Sequence, residues 1–253
     1  MTPYYADNMV TLYHGDMREV LPALDIRPDL CVADPPYAET SLAWDRWPDG
    51  WPAVVADVTS SLWCFGSMRM FLDHRGEFGA WKLSQDVVWR KNAGTGLHVD
   101  RFRRIHEHAT HWYRGPWGDV YKATPRIRSE NPVRSDASQR DGALRGQHMG
   151  SVHRKTTWVD TGTRLAPSVI DAKNLRGFAL HPTKKPPGIL APLIEYACPE
   201  GGVLLDPFAG SGSTAETARL SGRRAVLIEA NERYCEVIAR RLAQDVLPIG
   251  GTP

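Results

Sequence analysis

The chain has 253 residues, of which 42% are hydrophobic and 24% are charged, with a formal net charge of +2 at pH 7. This is enough for a sizeable core in one large α/β domain, or in one domain that carries an inserted lobe. No apolar stretch approaches the length that spans a bilayer, and the N-terminal residues lack a basic-then-apolar signal pattern. We therefore expect neither a membrane span nor a secretion signal.

The charges are distributed unevenly along the chain. Residues 82–185 contain 20 Lys/Arg and 9 Asp/Glu, whereas the rest of the chain contains 11 and 20. A basic middle between acidic ends indicates that one region binds a polyanion, and we expect nucleic acid. The alternative is that these basic side chains are spread over a solvated surface.

The four cysteines, at positions 31, 64, 198 and 235, are dispersed among core-type residues, and no C-x-x-C pair occurs. This pattern favours buried reduced thiols over disulfides or a metal site, and it predicts a reducing, cytoplasmic setting. His106 and His108 share a face of a predicted strand, which makes a metal pair conceivable. Without a further ligand pattern we expect no metal ion.

The first half of the chain alternates between strand and helix patterns. Strands are predicted at residues 10–16, 29–34, 62–67, 85–91 and 106–115, and helices at 17–24 and 51–62. The unbroken apolar run in 29–34 is typical of a central strand that is covered on both faces. Directly after it comes Asp34-Pro35-Pro36-Tyr37, where two prolines fix two backbone angles and give up two donors, as a rigid turn requires.

From about residue 116 to residue 180 the hydrophobic periodicity fades, and Gly, Ser, Arg, Asn and Asp dominate. A stretch of this length without regular structure is normally functional or disordered. We therefore expect an inserted basic region at 116–180, partly flexible, between the two parts of one α/β domain at 1–115 and 181–253.

Regular patterns return with a helix at 186–198, followed by a strand, a glycine turn, a helix, a strand and a helix over 201–247. This βαβα order implies a parallel sheet with right-handed crossovers. In the turn, glycines allow a close approach to a ligand, and Glu229 at the end of the next strand is placed to accept hydrogen bonds from ribose hydroxyls. No third glycine follows, so a mononucleoside ligand is favoured over a dinucleotide. A simple turn with an exposed glutamate is the alternative.

Three segments in this order resemble one family: DPPY (34–37), HPTKKP (181–186) and DPFAGSGST (206–214). They are similar to the β group of S-adenosylmethionine-dependent DNA amino-methyltransferases, which modify the exocyclic amine of adenine or cytosine. One departure is Lys184, where the family more usually has Gln. The resemblance implies a doubly wound, mostly parallel sheet of the class I methyltransferase type, related to the Rossmann fold, with 116–180 as the target-recognition region.

The resemblance also implies roles for individual residues. A catalytic role is implied for Asp34, Pro35, Pro36 and Tyr37. Contacts to S-adenosyl-L-methionine are implied for Asp16, Asp34, His181, Thr183, Lys185, Asp206, Phe208, Gly210, Gly212 and Glu229. Within this set, the glycine-turn residues would hold the methionine half, Glu229 the ribose and Asp16 the adenine of the cofactor.

We expect a site-specific enzyme that methylates adenine N6 in double-stranded DNA, by direct transfer to a base flipped out of the duplex. Asp rather than Ser at position 34 favours adenine over cytosine N4 by family habit. Cytosine N4 methylation, methylation of RNA or of a protein glutamine, and a non-catalytic DNA-binding relative are the alternatives. A covalent route is not expected, because C5-cytosine methylation needs a cysteine that typically follows a proline, and the chain has no Pro-Cys dipeptide.

Phosphate contacts are the expected role of the basic residues in and near the inserted region. They are Arg114, Arg126, Arg128, Arg134, Arg140, Arg145, Arg154 and Lys155. One or two of these arginines are also candidates for reading guanine. The resemblance further implies an enzyme that acts on the nucleoid of a bacterium, encoded by that cell or by a phage, and it leaves open a homodimer.

Overall fold

The computed structural model describes residues 1–40, 45–95, 100–128, 162–173 and 184–244. The chain divides into two compact units, of which the first comprises Met1–Ala123 with Ser168–Pro253 and the second comprises Thr124–Pro167. None of the helices in the described ranges is long and apolar enough to cross a membrane.

The strands and helices alternate along most of the first unit. The strands are β1 (Tyr5–Ala6), β2 (Val10–His14), β3 (Leu30–Ala33), β4 (Ser61–Gly66), β5 (Lys82–Thr95), β6 (Arg104–Tyr113), β7 (Arg126–Arg128), β8 (Thr163–Leu165), β9 (Val169–Asp171), β10 (Val203–Asp206) and β11 (Arg224–Glu229). The α-helices are α1 (Met17–Val20), α2 (Trp51–Ala56), α3 (Met68–Asp73), α4 (Pro187–Ala197), α5 (Ser213–Leu220) and α6 (Glu232–Gln244). Short 3-10 helices lie at Leu21–Ala23, Arg75–Phe78 and Trp117–Asp119.

Within the described ranges, nine strands form one sheet in the order β1-β2-β11-β10-β3-β4-β6-β5-β9. The five strands from β2 to β4 in this order are parallel, whereas β6 is antiparallel to both β4 and β5. The chain passes from β10 to β11 in one direction along the sheet and from β3 to β4 in the other. The crevice between the carboxyl ends of β10 and β3 is therefore the topological switch point, where sheets of this kind bind ligands.

Both faces of the sheet are covered, and successive residues of β3 supply the two sides. Leu30 and Val32 pack into one buried cluster with α4, α5 and α6, whereas Cys31 and Ala33 pack into a second cluster with α1, α2 and α3. Alternation of side chains along a strand explains why an unbroken apolar sequence is needed here. The predicted doubly wound, mostly parallel α/β fold is confirmed. The predicted burial of all four cysteines is also confirmed.

Several local elements differ between the sequence analysis and the structure. The helix predicted over 51–62 ends at Ala56, since Val58, Thr59 and the serines that follow favour a turn and then a strand. The strand β9 was not anticipated, yet it pairs in parallel with β5 and extends the main sheet. A strand of three residues carries too little periodicity to be recognised in a sequence.

The second unit contains a two-stranded antiparallel sheet in which β7 pairs with β8. Arg126 and Arg128 are exposed on β7, two residues apart and therefore on one face of the strand. The unit lies inside the region predicted at 116–180, and residues 129–161 and 174–180 of that region lie outside the described residues. The predicted partial flexibility of this region stays a prediction.

Gly212 precedes α5 with φ +71°, and a Cβ atom there would lie 3.1 Å from two side-chain carbons of Ile238. Gly201 has nearly the same φ, +73°, but a Cβ atom there would meet nothing within 4 Å. We expect Gly201→Ala to lower the free energy of unfolding by about 1–2 kcal/mol through the left-handed backbone alone. Gly212→Ala adds crowding of buried Ile238 and should cost more. Urea unfolding of both variants measures the difference, and equal losses would contradict the crowding.

Candidate active site

Acidic residues cluster where the five parallel strands end. Asp16 follows β2, Asp34 follows β3, Asp206 ends β10 and Glu229 ends β11. A cavity of about 1080 Å³ lies at this edge and is lined by all four of them. The carboxyl ends of parallel strands meet at one edge of a sheet, so residues far apart in sequence share one site.

Asp34 is held by two donors on different segments. The Tyr37 hydroxyl donates a hydrogen bond of 2.7 Å to Asp34 Oδ1, and Lys185 Nζ contacts Asp34 Oδ2. Burial, together with the Asp34 carboxylate, raises the pKa of Tyr37 well above its usual value, so its hydroxyl stays protonated and can donate. The Asp34 side chain remains partly exposed to the cavity.

Lys185 is the centre of a buried group of charges. Its ammonium lies 3.4 Å from Glu107 Oε2 and 5.1 Å from the centre of the Phe65 ring, and Glu107 also contacts Lys91. Burial alone would lower the pKa of Lys185, but the carboxylates of Asp34 and Glu107 raise it above its ordinary value. Burial likewise opposes ionisation of Glu107, and the two lysines lower its pKa overall. Lys185 therefore carries its positive charge beside Asp34.

The glycine turn packs its backbone amides against two buried carboxyl groups. Gly210 N–H donates to Glu229 Oε2 at 2.7 Å, and Phe208 N–H donates to Asp206 Oδ1 at 3.0 Å. Burial raises the pKa of Asp206 to about 7 and also raises the pKa of Glu229. The Phe208 ring contacts Trp51 edge-on, with centroids 5.4 Å apart. Two buried carboxyl groups of this kind favour a ligand that brings positive charge and hydroxyl donors to them.

Asp16 begins α1 and also faces the cavity. Its Oδ1 accepts a hydrogen bond of 2.9 Å from Arg18 N–H, and its Oδ2 lies 2.6 Å from the Arg18 guanidinium. The side-chain contact with Arg18 lowers the pKa of Asp16. Asp16 therefore presents an ionised carboxylate at the rim of the cavity.

The loop after Tyr37 is fastened by Asp45, a residue that the sequence analysis did not single out. Ala38 has φ +58°, a conformation uncommon for a residue other than glycine. Asp45, which is 7% exposed, accepts hydrogen bonds from Ala38 N–H at 2.9 Å and Thr40 N–H at 2.7 Å. The sequence segment 41–47, SLAWDRW, is similar to a Trp-Asp segment that follows the DPPY motif in the family, but this similarity did not indicate a role for Asp45.

Trp47, from the same loop, forms part of the cavity wall. Its ring stacks on His74 at 3.9 Å, and its Nε1 donates to Glu77 Oε1 at 2.5 Å. Glu77 Oε2 also accepts from Gly50 N–H at 2.8 Å. The wall of the cavity is therefore tied to the 3-10 helix at Arg75–Phe78.

Most of the predicted catalytic and cofactor residues come together around the cavity. They are Asp16, Asp34, Pro35, Pro36, Tyr37, Lys185, Asp206, Phe208, Gly210 and Glu229. Gly212 lies behind this surface, at the start of α5, and His181 and Thr183 lie outside the described residues. Lys184, the departure from the family pattern, lies 3.5 Å from Glu216 on α5.

The predicted DNA contacts belong to different parts of the chain. Arg114 follows β6 at the opposite edge of the sheet, where its guanidinium contacts the Ala56 carbonyl oxygen. The structure therefore gives Arg114 a partner within the chain and does not bring it to the cavity. Arg126 and Arg128 belong to the second unit. The remaining candidates lie outside the described residues: Arg134, Arg140, Arg145, Arg154 and Lys155.

Comparison with known proteins identifies the family. A sequence-family model described as DNA methylase, for N6 and N4 methyltransferases, matches residues 28–240. The chain belongs to this DNA methylase family. Members of the family methylate DNA and use S-adenosyl-L-methionine as the methyl donor. S-adenosyl-L-methionine is therefore the cofactor of this protein. The donors and carboxyl groups around the glycine turn fit a ligand that carries a sulfonium, an ammonium and a ribose.

Individual relatives agree with the family assignment. Type II methyltransferase M.ScaI from Streptomyces caespitosus is 29% identical over 265 residues, covering 95% of this chain and 83% of the relative. Among solved structures, the complex of M1.HpyAVI with SAM has a TM-score of 0.62 at 20% identity, covering 92% of this chain and 100% of that chain. The cytosine-N4-specific PvuII DNA methyltransferase has a TM-score of 0.65 at 14% identity, covering 99% and 90%. These structures support the fold.

Replacement of Asp45 tests how the loop is fastened. We expect Asp45→Ala to lower the free energy of unfolding by about 1–3 kcal/mol, because the amides of Ala38 and Thr40 lose their acceptor. Asp49→Ala, at an exposed position of the same loop, should change it by less than about 0.5 kcal/mol. Urea unfolding measures both, and equal effects would contradict the role of Asp45.

The effect of Asp45 should also depend on pH. Burial opposes its ionisation, but the hydrogen bonds from Thr40 and Ala38 lower its pKa overall. A carboxyl group whose pKa is lowered by folding stabilises the protein above its unfolded pKa, and this stabilisation is lost as the pH falls through the folded pKa. The difference in the free energy of unfolding between wild type and Asp45→Ala should therefore become smaller as the pH falls into the acid range.

Proposed function

We propose that this DNA methylase is site-specific and methylates adenine N6 in double-stranded DNA, acting on a base that is flipped out of the duplex. The observation that carries the proposal is the position of Asp34. Its carboxylate lies at the switch-point crevice, in the same cavity as the glycine turn, and is held by Tyr37 and Lys185. An acceptor for the target amine and the surface for the cofactor therefore line one cavity.

The chemistry of an exocyclic amine explains the need for a fixed acceptor. The nitrogen lone pair is conjugated into the ring, which makes the amine a poor nucleophile. Asp34 accepts a hydrogen bond from the amine N–H and so favours the positive charge that develops on nitrogen. The prolines at positions 35 and 36 hold the backbone carbonyl of this turn in place, as a second acceptor. The ammonium of Lys185 contacts Asp34 Oδ2, while the Tyr37 hydroxyl donates to Oδ1, so both carboxylate oxygens are held in place.

Tyr37 contributes a ring and a hydroxyl with different tasks. Its ring offers a flat apolar face on which an extruded base stacks, since enzymes that modify a base must take it out of the duplex. Its hydroxyl is directed at Asp34 Oδ1 and orients that carboxylate. Tyr37 therefore positions both the base and the Asp34 carboxylate, which accepts a hydrogen bond from the amine of that base.

The cofactor supplies an electrophilic methyl group on a sulfonium. In this proposal Asp206, Phe208 and Gly210 hold its methionine half, Glu229 accepts hydrogen bonds from the ribose, and Asp16 faces its adenine. The buried state of Asp206 and Glu229 supports these roles, because each carboxyl group gains by pairing with a donor or a cation. Gly212 supports the turn from behind.

The choice of adenine rests on Asp34, since the resemblance links Asp at this position to adenine N6 and Ser to cytosine N4. The similarity to a Type II methyltransferase supports methylation at a defined sequence and a part in restriction and modification. In this proposal the region at 116–180 contacts the DNA sequence, and Arg126 and Arg128 supply phosphate contacts.

Replacement of Asp34 tests the catalytic proposal. With labelled S-adenosyl-L-methionine and genomic DNA from cells that lack the enzyme, wild type should produce labelled N6-methyladenine. Asp34→Asn keeps the size of the side chain but loses its charge, and we expect a fall in kcat of about a hundredfold or more. Asp25→Asn, at an exposed site away from the cavity, should leave kcat unchanged. Label in N4-methylcytosine would overturn the base assignment, and an active Asp34→Asn variant would overturn the mechanism.

Asp206 gives the protein a pH-dependent property. Its folded pKa of about 7 lies above the usual 3.8, so its ionisation destabilises the folded protein progressively as the pH rises between these values. We compare the free energies of unfolding of Asp206→Asn and wild type without cofactor. The difference in favour of Asp206→Asn should grow by about 2–3 kcal/mol as the pH is raised from roughly 5 to 8. Urea unfolding measures this gain, for which Asp25→Asn is again the control. No gain would show that Asp206 titrates normally.

A further inference from the structure

A short basic segment lies at the same edge of the sheet as the active site. Its residues are Arg101, Phe102, Arg103 and Arg104, and we call it the Phe102 surface. All four residues are exposed, and the Phe102 ring is fully so. A single exposed apolar side chain is ordinary in a folded protein, but a fully exposed ring among three arginines combines two features of nucleic-acid contacts.

Strand pairing explains why this surface is near the site. Because β6 is antiparallel to β4 and His108 pairs with Gly66, the residues of β6 before His108 continue beyond the carboxyl end of β4. Arg104 lines the cavity, and its guanidinium lies 3.2 Å from Glu39 Oε2. Glu39 follows Tyr37 by two residues and also contacts Ser67. The Phe102 surface is thus continuous with the mouth of the cavity.

The charges of this surface are available to a polyanion. Arg101 is paired with Asp100 at 2.8 Å and Arg104 with Glu39, and both pairs are substantially exposed. Exposed ion pairs contribute little stability, so phosphate can replace these carboxylates at low cost. Arg103 is exposed between them. The surface carries more positive than negative charge at the place where a duplex must approach to deliver a base.

We propose that the Phe102 surface binds double-stranded DNA beside the target base, with the Phe102 ring occupying the stack that the base leaves and Arg103 and Arg104 contacting the flanking phosphates. This inference rests on the proposed function and adds a DNA contact in the first unit, outside the region at 116–180. Extrusion of a base leaves a gap, and an apolar side chain that enters the gap recovers stacking.

Phe102→Ala tests the ring. The probe is a duplex oligonucleotide that carries the site mapped by modified-base sequencing of DNA from cells expressing the enzyme. We expect its Kd to rise by about tenfold to a hundredfold, as for loss of one base–aromatic stack. Phe102→Trp should bind like wild type, because it keeps a flat ring. Leu83→Ala, at an exposed apolar position near the opposite edge of the sheet, is the matched control and should not change Kd.

A second duplex distinguishes insertion into the stack from general contact. When the target base is mispaired, its extrusion costs less free energy. The ratio of the Kd of Phe102→Ala to the Kd of wild type should therefore be smaller for the mispaired duplex than for the paired one. The arginines are tested by salt. Arg103→Ala should lower the slope of log Kd against log salt by about one, whereas Arg224→Ala, exposed at the far end of β11, should leave the slope unchanged.

The outcomes separate this inference from the proposed function. If wild type methylates adenine while Phe102→Ala and Arg103→Ala bind DNA as wild type does, the inference is overturned and the proposed function stands. If wild type modifies no base, the proposed function fails, and the salt slope of Arg103→Ala on mixed-sequence duplex DNA still decides whether the surface contacts DNA. Equal effects of Phe102→Ala on paired and mispaired duplexes would overturn insertion of the ring.

Discussion

Strands β10 and β3 pair in parallel, so their carboxyl ends lie side by side. The arrangement of the candidate active site depends on this pairing. One strand delivers Asp206 and the glycine turn, and the other delivers Asp34 with its two prolines. The crossovers leave these strands in opposite directions, and this divergence opens a crevice between them. In the proposed function, the methyl donor and the target base therefore bind to adjacent surfaces at this switch point.

One group of buried charges in this crevice is arranged so that each carboxylate contacts an ammonium. Tyr37, Asp34, Lys185, Glu107 and Lys91 form a continuous series of contacts between the loop after β3 and the strands β5 and β6. Each desolvated charge would be costly alone, and the mutual attraction of the series offsets that cost only while every member is present. The series therefore holds the Asp34 carboxylate in one orientation, and the loss of any member leaves a neighbouring charge without its partner.

Much of the site could be predicted from sequence because its parts are local. The apolar run of β3, the stiff turn at Asp34 and the glycines after Asp206 each have a pattern of their own, and a parallel sheet brings strand ends together. The contact between Lys185 and Asp34 spans 151 positions and has no local pattern, so Lys185 was assigned to the cofactor alone. The role of Asp45 depends on the backbone of Ala38, which a sequence does not display. For Arg114, charge suggested DNA, whereas the structure shows a contact with the Ala56 carbonyl oxygen.

The segment Thr124–Pro167 begins and ends beside residues that are hydrogen-bonded within the main unit. Ala123 N–H donates to the Tyr196 carbonyl at 2.8 Å, and the Ser168 carbonyl accepts from Val88 N–H at 2.7 Å. Both hydrogen bonds lie within the sheet unit, and neither uses a residue of the intervening segment. In the proposed function this segment belongs to the region that contacts the DNA sequence, so a change of target sequence requires no change in either of these two hydrogen bonds.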